Sequence, residues 1–316
     1  MNVPLQVSDF NALKKCDKPI HLAIGVFDGV HLGHLAVIEP AVSSAQDNSG
    51  VSAVLTFDPH PSRLFKGDAG TDLIMSLKTK VARLHGFGVD VVIAKTFDKE
   101  FASIAADAFI SFLLDQLPML KAVYVGENFR FGQGRVGDIQ TLIESGSALG
   151  IDVWSIDRIK QNGLPISSTR IREALRLGQV NLVNSLLGYR YVSEGTVIKG
   201  AQLGTKMGFP TMNLKWSPEC KPRYGVYAVR FLIESAGEWK KGIANFGVRP
   251  TVSNEEAIEP LLEVHSLEDC KCDLDEAIRV EWVEFVRDEK QFDSLDALKD
   301  QISQDCQLVK NLLSDG

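Results

Sequence analysis

The hydrophobic pattern of this chain changes period near Gly188, and that change limits the folds open to it. Before it, apolar runs near 20–27, 51–57, 89–95, 121–125 and 151–156 alternate with helix-patterned segments near 32–47, 75–87, 99–117 and 138–149. Such alternation predicts a mostly parallel sheet with helices on both faces. After it, Ile278, Val280 and Trp282 alternate with Arg279 and Glu281, and 228–233 and 261–264 also read as half-buried strands. Short strands separated by glycine and proline predict a small antiparallel barrel. Leu295, Leu298, Ile302, Val309 and Leu312 keep helical spacing, so an amphipathic helix should end the chain. Two short helices, 170–177 and 181–187, split at Gly178, should close the first half. The 316 residues thus suffice for two cores, in domains 1–187 and 188–316.

His31-Leu32-Gly33-His34 follows the first apolar run and the turn Asp28-Gly29. A strand, a tight turn and a helix start make a place for phosphates, because the first helical amides point outward unpaired and the helix dipole favours an anion. His31 and His34 share a helix face. Two imidazoles there can stabilise charge building on a phosphate in transfer, and Gly33 keeps the backbone approachable. Alone, H-x-G-H also describes a surface histidine pair; the strand–turn–helix context favours the phosphate reading. Far downstream, 166–172 (ISSTRIR) puts hydroxyls at a helix N-cap with an arginine fork behind them. An ordinary capped helix with solvated arginines is the competing reading. Sheets of this kind bind ligands beyond the carboxyl ends of their strands. The histidine pair, Asp58-Pro59-His60-Pro61 after the second strand and 126–132 (GENFRFG) after the fourth should therefore share one rim.

The stretch 204–213 (GTKMGFPTMN) is a second constellation. Thr211 and Asn213 alternate on an extended segment and face the same way. Their hydroxyl and amide oxygens are hard ligands suited to magnesium held jointly with ATP phosphates, although a glycine-rich β-turn reads the same way. Glu263 lies among apolar neighbours on a strand, where a carboxylate can take a proton from a hydroxyl; exposed strand glutamates are commoner. A net charge of −7 argues against a general nucleic-acid binder. No run of eighteen apolar residues predicts a membrane span, and 1–19 lacks the apolar core of a signal peptide. Five scattered cysteines fit reduced thiols in a cytoplasm. Cys270-Lys271-Cys272 has no matching second pair, so zinc is not expected. The acidic stretch 254–259 (NEEAIE) reads as a solvated loop.

Together these residues resemble the bifunctional bacterial riboflavin kinase/FMN adenylyltransferase family, also called FAD synthetase. The resemblance runs over nearly the whole chain and rests on 25–34 (GVFDGVHLGH), 55–61 (LTFDPHP), 126–132 (GENFRFG), 166–172 (ISSTRIR), 208–213 (GFPTMN), 225–229 (GVYAV) and 242–251 (GIANFGVRPT). It implies a Rossmann-like α/β nucleotidyltransferase domain with a parallel sheet, followed by a riboflavin kinase β-barrel with a C-terminal helix. It implies ATP as co-substrate, Mg2+, and riboflavin, FMN, FAD and pyrophosphate as small-molecule partners of a monomer or weak homo-oligomer. His31, His34 and Arg172 would act in adenylyl transfer, with Gly25, Phe27, Asp28, Gly33, Asn128, Ser168 and Thr169 around the nucleotide. Pro59 and Pro61 would line the flavin pocket of that site. In the barrel, Gly204 and Lys206 would meet phosphate, Thr211 and Asn213 the metal, and Arg287 the flavin, with Glu263 as general base. The chain departs from the family at Thr205, usually arginine, at Val252, usually phenylalanine, and at 273–276, where DLDE replaces D-L-Y-G. Lost turn glycine and added carboxylates there bear on the kinase loop. A chain with an impaired kinase barrel, or a flavin-binding regulator without turnover, are the competing expectations.

Overall fold

The computed structural model describes residues 5–200, 204, 207–248 and 260–314. It divides into two compact units, Met1–Ser168 and Thr169–Gly316. The first is built on β1 (Leu5–Val7), β2 (Ile20–Ile24), β3 (Val51–Phe57), β4 (Val91–Lys95), β5 (Leu120–Gly126) and β6 (Asp152–Ile156). They form one parallel sheet in the order β1-β4-β3-β2-β5-β6. Its helices are α1 (Leu32–Asp47), α2 (Pro61–Lys66), α3 (Leu77–Gly86), α4 (Lys99–Ala102), α5 (Phe109–Gln116) and α6 (Ile139–Ala148). β2 and β3 are buried throughout, as a sheet covered on both faces requires. Successive side chains of a strand point to opposite faces. Leu22, Ile24 and Leu55 therefore pack with Ile110 and Leu113 of α5 and Leu142 of α6. Ala23 and Val54 enter the opposite core with Leu35 and Ile38 of α1 and Val81 and Leu84 of α3.

The single helix expected over 99–117 is two helices, α4 and α5. The break has a cause. The Ile104 carbonyl accepts from Gln133 N at 2.7 Å, so the loop after β5 takes a bond that a continuous helix would keep. Gly132 and Gly137 of that loop lie against Ala106; a Cβ on Gly132 would stand 2.8 Å from the Ala106 Cα. β1 and α2 were not expected from the sequence, and β1 makes the strand that precedes 126–132 the fifth. A short hairpin, β7 (Lys160–Gln161) with β8 (Leu164–Pro165), completes the unit.

α7 (Ser168–Arg176) and α8 (Val180–Leu187) follow. They part at Gly178, whose φ of 72° suits glycine. Gln179 N bonds to the Ala174 carbonyl and Gly178 N to that of Leu175, the paired bonds of a Schellman turn. The remaining strands are β9 (Val192–Ile198), β10 (Thr211–Lys215), β11 (Gly225–Ile233), β12 (Trp239–Val248), β13 (Pro260–Ser266) and β14 (Ala277–Arg287), with α9 (Leu295–Leu312) last. The strands close an antiparallel barrel in the order β10-β13-β12-β11-β14-β9. Trp282, Tyr227, Phe231 and Phe246 are fully buried in it. α9 covers Val226, Ala228 and Ile243 with Cys306, Val309 and Leu313. Compactness draws the division after Ser168, whereas the expected one follows 187, because α7 and α8 are tied to the barrel. Arg223 N bonds to the Leu175 carbonyl, Asn184 Nδ2 to the Trp282 carbonyl, and Tyr191 N to Asn184 Oδ1, all within 2.9 Å.

Candidate functional site

In the first unit the sheet reverses its winding between β2 and β5, with β3 and β4 on one side and β6 on the other. Loops leaving the strands at such a reversal open the crevice where α/β sheets take ligands. The loop after β2 ends at His31, the N-cap of α1. His31 has extended backbone, and its Nδ1 accepts from His34 N at 3.2 Å. With Nδ1 accepting, the neutral ring carries its proton on Nε2, the form that donates to a phosphate oxygen. The His34 ring stacks on His31, centroids 3.5 Å apart and 15° from parallel, and the Phe27 ring meets His34 edge-on at 5.3 Å. Phe27 also lies so close to Gly25 that a Cβ there would stand 2.8 Å from its ring. Asp28 is buried, and its carboxylate accepts from Ile74 N at 3.1 Å. Gly25, Phe27 and Asp28 are thus seen shaping the loop.

The second motif reaches this loop. Ser168 Oγ donates to the Asp28 carbonyl at 2.8 Å, across 140 residues of sequence. A Cβ on Gly33 would stand 3.2 Å from His31 Cε1 and 3.4 Å from the Ile166 carbonyl, so glycine permits the close approach of both. Thr169 and Arg172 continue along α7 in the second unit, with Arg172 buried. Asn128 is exposed in the turn after β5, closed by Phe129 N on the Gly126 carbonyl at 2.9 Å. Pro59 is exposed and Pro61 is the first residue of α2, whose N-cap His60 accepts from Ser62 N.

Sequence reasoning missed the aromatic rings beside these prolines. Phe97 lies 5.3 Å from Phe57, 5.7 Å from Phe101 and 6.3 Å from Phe65, and Phe65 is 71% exposed. Phe129 and Phe131 stack at 5.5 Å. Flat apolar faces of this kind suit a planar ring system. Phe65 stands eight residues after Phe57, and read in sequence it looks like an ordinary core residue.

In the barrel, β10 and β13 set Asn213 opposite Glu263 and Thr211 opposite His265, while β12 sets Asn245 opposite Glu263 from the other side. Opposed residues share a sheet face, so Asn213, Glu263 and Asn245 form one polar row across three strands. Asn245 was not singled out from the sequence. Asn213 is buried beneath Gly200, where a Cβ would stand 2.2 Å from its Nδ2. The imidazole of His265 bonds through Nδ1 to the Pro210 carbonyl at 2.8 Å, which holds the start of β10. Phe209 N bonds to the Gly204 carbonyl at 2.8 Å, and a Cβ on Gly204 would stand 2.3 Å from the Phe209 carbonyl oxygen. The hydroxyl of Thr211 and the amide of Asn213 fit a hard cation that takes its other ligands from phosphate and water. Lys206, Thr205, Val252 and the stretch 254–259 lie outside the described residues.

Two further sequence expectations meet definite surroundings. Arg287 grips Asp305 of α9, with Nε at 2.9 Å and a terminal nitrogen at 2.7 Å from Oδ2, and bonds the Asp288 carbonyl at 2.9 Å. Its guanidinium therefore joins β14 to α9. In the variant stretch 273–276, Glu276 accepts from the Ser235 hydroxyl and from Asp273 N. The Ser235 hydroxyl, then Cys272 and the Asp273 amide, hold its carboxyl below the usual glutamate range.

Comparison with known proteins agrees with this architecture. The family model for FAD synthetase matches residues 13–170, and that for riboflavin kinase matches residues 187–313. The bifunctional riboflavin kinase/FMN adenylyltransferase of Escherichia coli strain K12 is 40% identical over 286 residues, 90% of each chain. Its namesake from Haemophilus influenzae is 37% identical over 289 residues, 92% of each, and that from Bacillus subtilis strain 168 is 34% identical over 290 residues, 90% of each. A crystal structure described as a macrolide-efflux protein from Streptococcus pneumoniae has a TM-score of 0.87 at 25% identity, covering 98% of this chain and 99% of that one. Among the described residues no helix is long and apolar enough to cross a membrane. On the two matched models and these relatives, the chain belongs to the bifunctional riboflavin kinase/FMN adenylyltransferase family.

Proposed function

We propose that the second unit phosphorylates riboflavin to FMN with ATP, and that the first unit joins FMN to a second ATP, giving FAD and pyrophosphate. The observation that supports this most is the meeting of His31, His34 and Ser168 around one loop at the sheet's winding reversal. An FMN phosphate oxygen attacks the α-phosphorus of ATP; the bond to the β-phosphate oxygen breaks, and pyrophosphate leaves. FMN phosphate is already a nucleophile at neutral pH, so no protein base is needed. The work is positioning and charge stabilisation by the Nε2–H of His31, by His34 and by the α1 amides. The prolines and the Phe65–Phe97 rings offer the flavin its flat wall.

The kinase step differs, because riboflavin presents a neutral 5′-hydroxyl. Glu263 takes its proton while the oxygen bonds the γ-phosphorus and ADP leaves. Thr211 and Asn213 would hold Mg2+ together with nucleotide phosphate, and when bound the ion would offset phosphate charge. The Ser235 and Asp273 bonds on Glu276 support a working kinase, since that carboxylate is engaged by the turn after β11 and by its own loop. Free thiols at Cys16, Cys220, Cys270, Cys272 and Cys306 fit a reducing cytoplasm. Chromatography of riboflavin, FMN and FAD after incubation with ATP and Mg2+ tests the reading. Riboflavin should pass through FMN to FAD. Failure of the first conversion alone removes the kinase half, and failure of the second alone removes the transferase half.

A further inference from the structure

Lys80 of α3 is 3% exposed, an unusual place for an ammonium group. Its Nζ donates to the Val26 carbonyl at 2.9 Å and lies 3.4 Å from Thr56 Oγ1. Thr56, fully buried on β3, donates its own hydroxyl to the same carbonyl at 2.8 Å. One carbonyl at the root of the histidine loop thus takes two donors from two different elements. The loop needs such holding. Phe27 has φ 49° and the β-branched Val30 has φ 36°, both in the left-handed region that side chains avoid. Strain of this kind persists only where surroundings over-determine it.

We propose that Lys80 is a positioning residue for adenylyl transfer: by fixing the Val26 carbonyl it holds the strained loop in the form that presents the stacked His31–His34 pair and the start of α1 to the nucleotide. This rests on the transferase reading of the first unit. A methionine would fill the same space without the penalty of burying a charge. What the ammonium adds is direction, since it aims a charge-assisted bond at one carbonyl oxygen. Burial lowers the pKa of this lysine, against the opposing pull of Asp28 and then Asp58. Those carboxylates flank it on the loop itself and on the segment after β3.

The test compares the wild type with Lys80→Met and Thr56→Val, each as the full chain. In Lys80→Met, kcat for FAD formation from FMN should fall roughly 30- to 100-fold, the scale on which misplacement by about 1 Å is felt, while KM for FMN changes less than about threefold. FMN formation from riboflavin by the same molecules should stay at the wild-type rate. The ring NMR signals of His31 and His34 should shift in the absence of any substrate, because their stacking changes. A folded Lys80→Met with wild-type kcat, or with unmoved histidine signals, overturns the proposal and leaves the transferase reading standing. A wild-type protein that makes no FAD removes both. Where Lys80→Met does not fold, Thr56→Val decides: about a fivefold loss of kcat is expected from one lost neutral hydrogen bond, and wild-type kcat overturns the proposal.

Discussion

A histidine that caps a helix and donates to a ligand has two tasks, and His31 has the geometry for both. Replacing it with alanine should lower FAD formation roughly 10²-fold or more, the usual effect of losing one donor to a developing charge, as read by steady-state rates with FMN and ATP. Gln at Glu276 is expected to change FMN formation less than about twofold, because its carboxylate bonds Ser235 and Asp273 and an amide keeps most of that bonding. A kinase rate that rose or fell tenfold in Glu276→Gln would show that the variant loop acts on phosphate. At this scale the sequence was readable where residues of one motif are neighbours: the spacing of His31, Gly33 and His34 carries their shared face. It was unreadable where a side chain's meaning comes from a distant partner. Lys80 in a helical segment looks like any solvated lysine until Val26 and Thr56 are beside it. Arg287 likewise gives no sign in sequence of the Asp305 carboxylate across from it.

His21 makes β2 sensitive to acid. The ring is buried, its Nδ1 lies 3.2 Å from the Tyr124 hydroxyl, and among the described residues Nε2 meets no hydrogen-bond partner. Burial first, and the Lys121 charge second, push its pKa below the ordinary 6.5. The folded chain then binds this proton less readily than the unfolded chain. The stabilisation is complete above about pH 6.5 and is lost as pH falls through the lowered value. Urea midpoints of the first unit should fall between pH 7 and pH 5, and His21→Gln should flatten that slope. α9 offers a second element to test. Asp305→Ala strands the Arg287 guanidinium and should cost about 2–3 kcal/mol in chemical unfolding, below the range for fully buried pairs because Arg287 is partly exposed. Element identity was largely legible, since α1, α6 and β3 follow apolar periods that local sequence shows. The break between α4 and α5 was not, because a carbonyl captured by Gln133 leaves no mark in the sequence around Ile104.

For the whole molecule, the change of period near Gly188 foretold two architectures in one chain, and the parallel sheet and the barrel are what the structure contains. Strand order in the barrel was not foretold. β9 carries Ser193, Glu194 and Gly195 in place of an apolar run, yet it closes the barrel by pairing with both β10 and β14. Separate sites make a separable pair of defects. With riboflavin as the start, His31→Ala should accumulate FMN, and Glu263→Gln should leave riboflavin unconverted while still turning supplied FMN into FAD. A mixture of the two variants should restore FAD from riboflavin, measured by chromatography over time, because each supplies the step that the other lacks. The hydroxyl of Ser168 on the Asp28 carbonyl has a further consequence for biosynthesis. A nascent chain emerging from the ribosome can complete its sheet once Ile156 is free, but the histidine loop gains this anchor only after another dozen residues clear the exit tunnel. Translation therefore delivers a folded sheet first, and a pinned histidine loop a moment later.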